Sequence, residues 1–296
     1  MKWFSKFLLQ IPKNCIELFL LIVKVARVYH DTLIDKNFDL PNLKKNESEV
    51  LILGNGPSLN DVDFSKIRGD IVVSCVNDFA VKSELFFSIK PKYYVLLDPI
   101  YFLPIDKIPD LYREIVRNLY AKFELIDWEM YLIVPQVFFL TFSNKNIKIK
   151  KINSNIKYSP QNNNFLNYLY SKNLCVCGYQ NVLVGALYYF IMQKTPKIYI
   201  AGADMSEFTC FKIDSNNHVI GYFSHFYKDN IIDCTDNGKI RLGEFSTYLS
   251  YYCKMLLEFK AIKYFSDYQN VKVVNLSLNS YIDVFEKGKC EDFIYT

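Results

Sequence analysis

The chain predicts an α/β fold built on a mostly parallel sheet with helices on both faces. Short apolar runs recur along it, helical patterns fall between several of them, and glycine, asparagine or aspartate stands directly after most runs. In open parallel sheets the carboxyl ends of the strands carry the ligand, so these last residues are where function is expected.

The first run, Glu49-Val50-Leu51-Ile52-Leu53, is β-branched and leucine-rich and ends in Gly54-Asn55-Gly56-Pro57, which predicts a buried strand entering a tight turn. Further strands are expected at 71–76, 93–97, 130–135, 197–201 and 271–275, and helices at 181–193 and 244–264. After these strands come Asn77-Asp78, Asp98-Pro99 and Gly202-Ala203-Asp204. The Asn/Lys-rich stretch 143–164 reads as a surface excursion, and Asp214-Ser215-Asn216-Asn217 (DSNN) as the mobile part of a lid spanning roughly 205–240. No internal repeat is present. Residues 49–296 are therefore expected to form one catalytic domain with that lid.

Composition bounds the function. A chain that is 51% hydrophobic and 17% aromatic folds rather than remaining disordered. With 35 basic against 31 acidic residues, no global field argues for a nucleic-acid partner. The surplus sits in residues 1–30, where Lys2, Lys6, Lys13, Lys24 and Arg27 face Glu17 alone. The same segment has its longest apolar run at residues 18–23, far short of the ~20 residues a spanning helix needs. Residues 1–34 therefore predict an amphipathic helix that lies on the inner leaflet or packs its apolar face on protein, its own core or a second copy of the chain, which leaves a homo-oligomer open. Residues 35–48, polar and proline-containing, form the linker. Of eight cysteines only Cys175 and Cys177 are close, without the spacing of a zinc or redox pair. No metal site is expected, and the thiols are read as reduced in a cytoplasmic, peripherally membrane-bound protein.

The Gly54-Asn55-Gly56-Pro57-Ser58 turn lets backbone approach a phosphate or ribose closely, while Asn55 adds an amide. It lacks the Gly-Lys-Ser/Thr ending of a Walker loop and the third glycine of a dinucleotide fingerprint. His225 lies in Tyr222-Phe223-Ser224-His225-Phe226-Tyr227. An imidazole, with its reference pKa of about 6.5, suits removal of a proton from a sugar hydroxyl. His30 belongs to the N-terminal segment and His218 to the polar loop, which leaves His225 as the candidate base; a histidine hydrogen-bonded within an aromatic cluster is the plainer alternative. Asp98 and Asp204 are strand-end carboxylates suited to ribose or acceptor hydroxyls, to a magnesium ion, or to capping a helix. No D-x-D metal motif accompanies them. Few basic residues adjoin these loops, so a monophosphate donor fits better than a diphosphate.

The order G-N-G-P-S-L-N-D-V-D-F, S-C-V-N-D-F, K-I-Y-I-A-G-A-D, a histidine in a Tyr-rich segment and V-V-N-L-S-L-N-S-Y-I-D-V-F resembles the bacterial lipooligosaccharide sialyltransferases of glycosyltransferase family 42, over roughly residues 49–285. That resemblance implies a single Rossmann-like domain with a lid, a metal-independent inverting reaction, CMP-sialic acid as donor substrate with no further cofactor, and a glycan or glycolipid acceptor. It implies that Asn55 and Gly56, within the turn from Gly54 through Pro57 to Ser58, contact the cytidine nucleotide, and that Asn77 contacts its ribose or phosphate region. Asp98 stands where the family usually carries Asn. Gly202 and Asp204 belong to the nucleotide site, Asn279 and Ser280 lie near its nucleotide end, and His225 is the base. Two departures stand out. The family's Thr-Ser-Gly is Gln180-Asn181-Val182 here, with Asn181 the remaining nucleotide candidate, and its two phosphate-holding tyrosines are replaced after Asp204 by Met205, Ser206 and Phe211, leaving Tyr222 or Tyr227 to substitute. The glycine turn and G-x-D strand end also resemble hydroxymethylpterin diphosphokinase-like proteins, which imply ATP and magnesium held by Asp98 and Asp204; a third reading is a non-catalytic scaffold for glycan assembly.

Overall fold

The computed structural model describes residues 48–296 except 83, 139, 214, 226–227 and 234–244, together with residues 19, 22, 23 and 26. Tyr227, the end of the expected lid, and most of the expected helix 1–34 and linker 35–48 lie outside the described residues.

The chain runs through β1 (Val50–Leu53), β2 (Val72–Val76), α1 (Phe79–Lys82), α2 (Phe86–Ile89), β3 (Tyr93–Val95), α3 (Asp110–Glu124), β4 (Met130–Pro135) and β5 (Ile147–Ile152). It continues through α4 (Asn164–Ser171), α5 (Val182–Met192), β6 (Lys197–Ala201), β7 (Phe211–Ile213), β8 (Val219–His225), β9 (Lys228–Asp233), α6 (Phe245–Gln269), β10 (Lys272–Asn275), β11 (Glu286–Lys287) and α7 (Cys290–Phe293). An 8-stranded sheet has the order β11-β10-β6-β1-β2-β3-β4-β5, and every pairing in it is parallel. The expectation of a mostly parallel sheet thus becomes an all-parallel one, and the antiparallel pairs are confined to a separate 3-stranded sheet, β7-β8-β9.

Helices cover both faces. Val50 and Ile52 of β1 join a core with α4, α5 and α6, whereas Leu51 and Leu53, alternating with them, join a core with α1, α2 and α3. All four β1 side chains are buried, the continuous apolar run expected of a strand covered twice. α5, Val-Leu-Val-Gly-Ala-Leu-Tyr-Tyr-Phe-Ile-Met, is apolar on every side because it lies sandwiched under α6.

One expectation is corrected. Residues 143–164 are not simply a surface excursion: they contain β5, Ile-Lys-Ile-Lys-Lys-Ile, which closes one sheet edge against β4. Its lysines concealed it, and lysine is a common edge-strand residue because it discourages further pairing. Residues 215–217, within the expected lid, lie between the antiparallel strands β7 and β8. Among the described residues no helix is long and apolar enough to cross a membrane.

The sheet order places the topological switch between β1 and β6, since the chain moves away from β1 in one direction through β2 to β5 and in the other through β6, β10 and β11. A crevice is expected there, at the carboxyl ends.

Candidate active site

The ends of β1 and β6 are stitched together backbone to backbone. Gly54 N donates to Ala201 O at 2.8 Å and Gly56 N to Gly202 O at 2.9 Å. A Cβ on Gly54 would stand 2.3 Å from Gly202 O, and one on Gly56 would stand 2.0 Å from Asp204 Oδ2. Both glycines are therefore required by the approach of one protein loop to another, and their N–H groups are engaged before any ligand arrives.

Asp204 is the anchor of this junction. Ser58 donates its backbone N–H, at 3.2 and 3.3 Å, and its Oγ, at 2.8 Å, to the carboxylate. Ser58 Oγ also lies 2.8 Å from Ser277 Oγ, which accepts from Ala203 N at 2.9 Å. A hydroxyl has one proton, and a carboxylate can only accept, so Ser58 gives its proton to Asp204 and Ser277 donates to Ser58. Burial raises the pKa of Asp204 and the Ser58 hydrogen bonds oppose that rise. Ser280 Oγ donates to Ala203 O and Tyr281 N to Asp204 O, so Ser280 ties the β10 loop to the β6 loop.

Over this junction opens a cleft of about 340 Å³, within the size range of small-molecule sites. Gly54, Asn55, Gly56 and Pro57 line one side, Asn77 and Asp78 from β2 another, Asn181 to Leu183 from the start of α5 a third, and Gly202 to Glu207 the fourth. Asn55 Nδ2 donates to Val76 O at 3.3 Å, which fixes its amide, and leaves Oδ1 buried without a donor. Asn77 adopts φ +48°, a left-handed conformation that asparagine tolerates. Its carbonyl accepts from the hydroxyl of the fully buried Tyr94, which in turn accepts from Ala80 N at 2.9 Å. Asn77 Oδ1 is likewise buried without a partner. Asn181 caps α5, its Oδ1 accepting from Leu183 N at 2.8 Å and its Nδ2 donating to Met205 Sδ at 3.0 Å. The loop before it is held from α6, where the buried Glu258 accepts from Gln180 N at 3.0 Å. The α5 N-terminus therefore opens on the cleft with the positive end of its dipole.

The structure thus brings together Gly54, Asn55, Gly56, Pro57, Asn77, Asn181, Gly202 and Asp204 in the cleft wall, with Ser58 directly behind. It does not bring in Asp98, which is exposed and caps the short 3-10 turn Pro99–Phe102 by accepting from Ile100 N at 2.9 Å. Asn279 is exposed and outside the lining. Tyr222 and His225 lie on β8 in register with Ile231 and Lys228. Among the described residues no group of three or more His, Cys, Asp or Glu is placed to hold a metal ion.

Sequence reasoning missed Glu207. It opens the 3-10 turn Glu207–Cys210 at the cleft edge, with Oε2 buried and unpartnered. Burial raises its pKa, a backbone hydrogen bond to its carboxylate opposes the rise, and the Asp204 carboxyl adds to it. No local motif marks it, because its burial arises from the packing of β8 and the α6 tyrosines around the turn. Three carboxyls, Asp78, Asp204 and Glu207, line the cleft, and no lysine, arginine or histidine is among its described lining residues.

Solved structures similar to this chain are bacterial sialyltransferases. The monofunctional α-2,3-sialyltransferase Cst-I from Campylobacter jejuni is 14% identical with a TM-score of 0.47, covering 87% of this chain and 87% of its own. CstII from the same organism, solved with cytidine-5'-monophosphate, is 16% identical with a TM-score of 0.40 over 82% of this chain and 86% of its own. CST-II with trisaccharide acceptor and CMP is 16% identical with a TM-score of 0.42 over 81% of this chain and 85% of its own. No family model and no curated protein matches the chain.

Proposed function

We propose that the chain is a glycosyltransferase that moves sialic acid or a related sugar from a CMP-activated donor to a glycan or glycolipid acceptor, with inversion and without a metal ion. The observation that carries this reading is the pair of buried, donorless amide oxygens, Asn55 Oδ1 and Asn77 Oδ1, on adjacent strand ends at the switch point. Buried acceptors of this kind call for a donor, and a cytidine nucleotide offers its exocyclic amine and its ribose hydroxyls. The α5 N-terminus faces the same space and suits a single phosphate. The diphosphokinase-like alternative asks Asp98 and Asp204 to share a metal, and Asp98 instead caps its own turn outside the cleft.

In this reaction the acceptor hydroxyl attacks the anomeric carbon, the bond from that carbon to the CMP phosphate oxygen breaks, and CMP leaves with the electron pair. His225 takes the acceptor proton. Phe211 pairs with Gly221, so β8 runs on past the start of β7 beside the Glu207–Cys210 turn. The His225 backbone lies four residues beyond Gly221 along β8, roughly 13 Å at strand rise.

Calorimetric titration with CMP, CDP, UDP, GDP and ATP, each with and without magnesium, tests the reading. Selective CMP binding, unchanged by magnesium or EDTA, is the expected result; ATP binding that requires magnesium would move the function to phosphoryl transfer.

Attachment to the inner leaflet is part of the proposal. Phe19, Ile22 and Val23, spaced as one helical stripe, are helical and exposed, at 64%, 54% and 48%. With the net positive charge of residues 1–30, that stripe suits an anionic membrane surface. Deletion of residues 1–33 is expected to abolish co-sedimentation with vesicles containing phosphatidylserine while CMP binding persists; retained sedimentation would place the contact elsewhere.

A further inference from the structure

An anionic nucleotide in a cleft lined by Asp78, Asp204 and Glu207 meets like charge, and among the described lining residues no cation offsets it. Two of these carboxyls already have donors: Asp204 accepts from Ser58, and Asp78 accepts from the Tyr101 hydroxyl. Glu207 Oε2 has none, although it is buried. A deprotonated carboxylate there can only accept, so a phosphate oxygen can bond to it only if that oxygen carries a proton and donates it. A protonated carboxyl, by contrast, donates.

We infer that Glu207 receives the phosphate of the bound ligand as a neutral acid, so that phosphate binding is coupled to the uptake of one proton. This rests on the nucleotide reading above for its ligand, and extends to any phosphate monoester. The proton on Glu207 removes one negative charge from the cleft and adds a hydrogen-bond donor to its wall.

The surroundings of Glu207 favour this form. Asp204 approaches from the β6 loop, Tyr252 from α6 with Tyr248 3.4 Å behind it, and Cys210 from the same turn, while Asp78 and Tyr112 line the cleft opposite. β8, packed beside the turn, carries Tyr222 and His225 as its titratable residues. Burial raises the Glu207 pKa, a backbone hydrogen bond to its carboxylate opposes that rise, and the Asp204 carboxyl adds to it; a dianionic ligand raises it further. The sign follows: the binding form predominates below the folded-state pKa, and affinity falls as pH rises through it, by up to ~10-fold per pH unit for one linked proton.

The test is calorimetry of CMP binding to the full chain between pH 7.5 and 9, where the CMP phosphate, with a second pKa near ~6, is already dianionic. Buffers of different ionisation enthalpy report the proton count, and cytidine serves as the ligand without phosphate. The wild type is expected to take up about one proton with CMP and none with cytidine. Glu207→Gln, which keeps a donor, is expected to bind CMP at high pH at least as well as wild type, with no uptake and a flat pH profile. Binding of CMP to the wild type without uptake overturns the inference, as does uptake that persists in Glu207→Gln. If CMP does not bind at any pH, the nucleotide reading fails, and inorganic phosphate becomes the probe: its binding with Glu207-dependent uptake upholds the inference, and its failure to bind overturns it.

Discussion

Replacement of His225 by alanine is expected to lower turnover by ~10²–10⁴-fold while leaving CMP affinity within about threefold of wild type. The split between the two quantities is the informative part. The groups proposed to hold the nucleotide, Asn55, Asn77 and the α5 N-terminus, all belong to the main sheet and its helices, whereas His225 belongs to the separate antiparallel sheet. Removing the imidazole takes away the proposed base and leaves the proposed nucleotide cradle intact. Steady-state kinetics with a CMP-sugar donor, alongside calorimetry with CMP, measures both. Unchanged turnover would remove His225 from the chemistry, and a parallel collapse of affinity would mean that the variant had disturbed the cleft itself.

The second large effect concerns stability. Gly54→Ala places a methyl 2.3 Å from the Gly202 carbonyl oxygen, a backbone atom that already accepts from Gly56 N at 2.9 Å. No side chain can rotate to relieve that contact, so the ends of β1 and β6 must separate and loosen both stitching hydrogen bonds. A loss of about 3 kcal/mol is expected, at the upper end of the overpacking range. For a chain of this size that is a fall in melting temperature of roughly 5 °C. Gly69→Ala is the control, since a Cβ there meets nothing within 4 Å, and it should shift stability by less than about 1 kcal/mol. Thermal unfolding followed by circular dichroism compares the two; equal melting temperatures would show that the junction is more compliant than its geometry implies.

Legibility in the sequence followed burial. β1, β2, β4 and β6 announce themselves as apolar runs because both faces of the sheet are covered, and α5 does so because it is buried all round. β5 did not, because an edge strand with three lysines reads as polar loop, and β11 did not, because two residues carry no pattern. β7 to β9, which fall within the expected lid, did not either, since their short antiparallel pairing leaves only a weak local signal. At the cleft wall, the strand-end rule pointed to Asn55, Asn77 and Asp204, and the family resemblance pointed to Asn181. The same rule also picked Asp98, which sits after β3 but turns outward as a cap. What no local rule reaches is a residue such as Glu207, whose environment is assembled from α6, β8 and the β6 loop.

The seam at Ser58, Ser277, Ala203 and Asp204 carries a consequence for biosynthesis. Ser58 and Ser277 are 219 positions apart, and the backbone of Tyr281 completes the attachment to Asp204. During translation the glycine turn and β2 emerge early, yet the floor of the cleft cannot close until residues 277–281 have left the ribosome and β10 has docked beside β6. If the cleft binds nucleotide as proposed, nascent chains halted before that point should have no affinity for it, and acquisition of binding would then time the closing of the cleft floor.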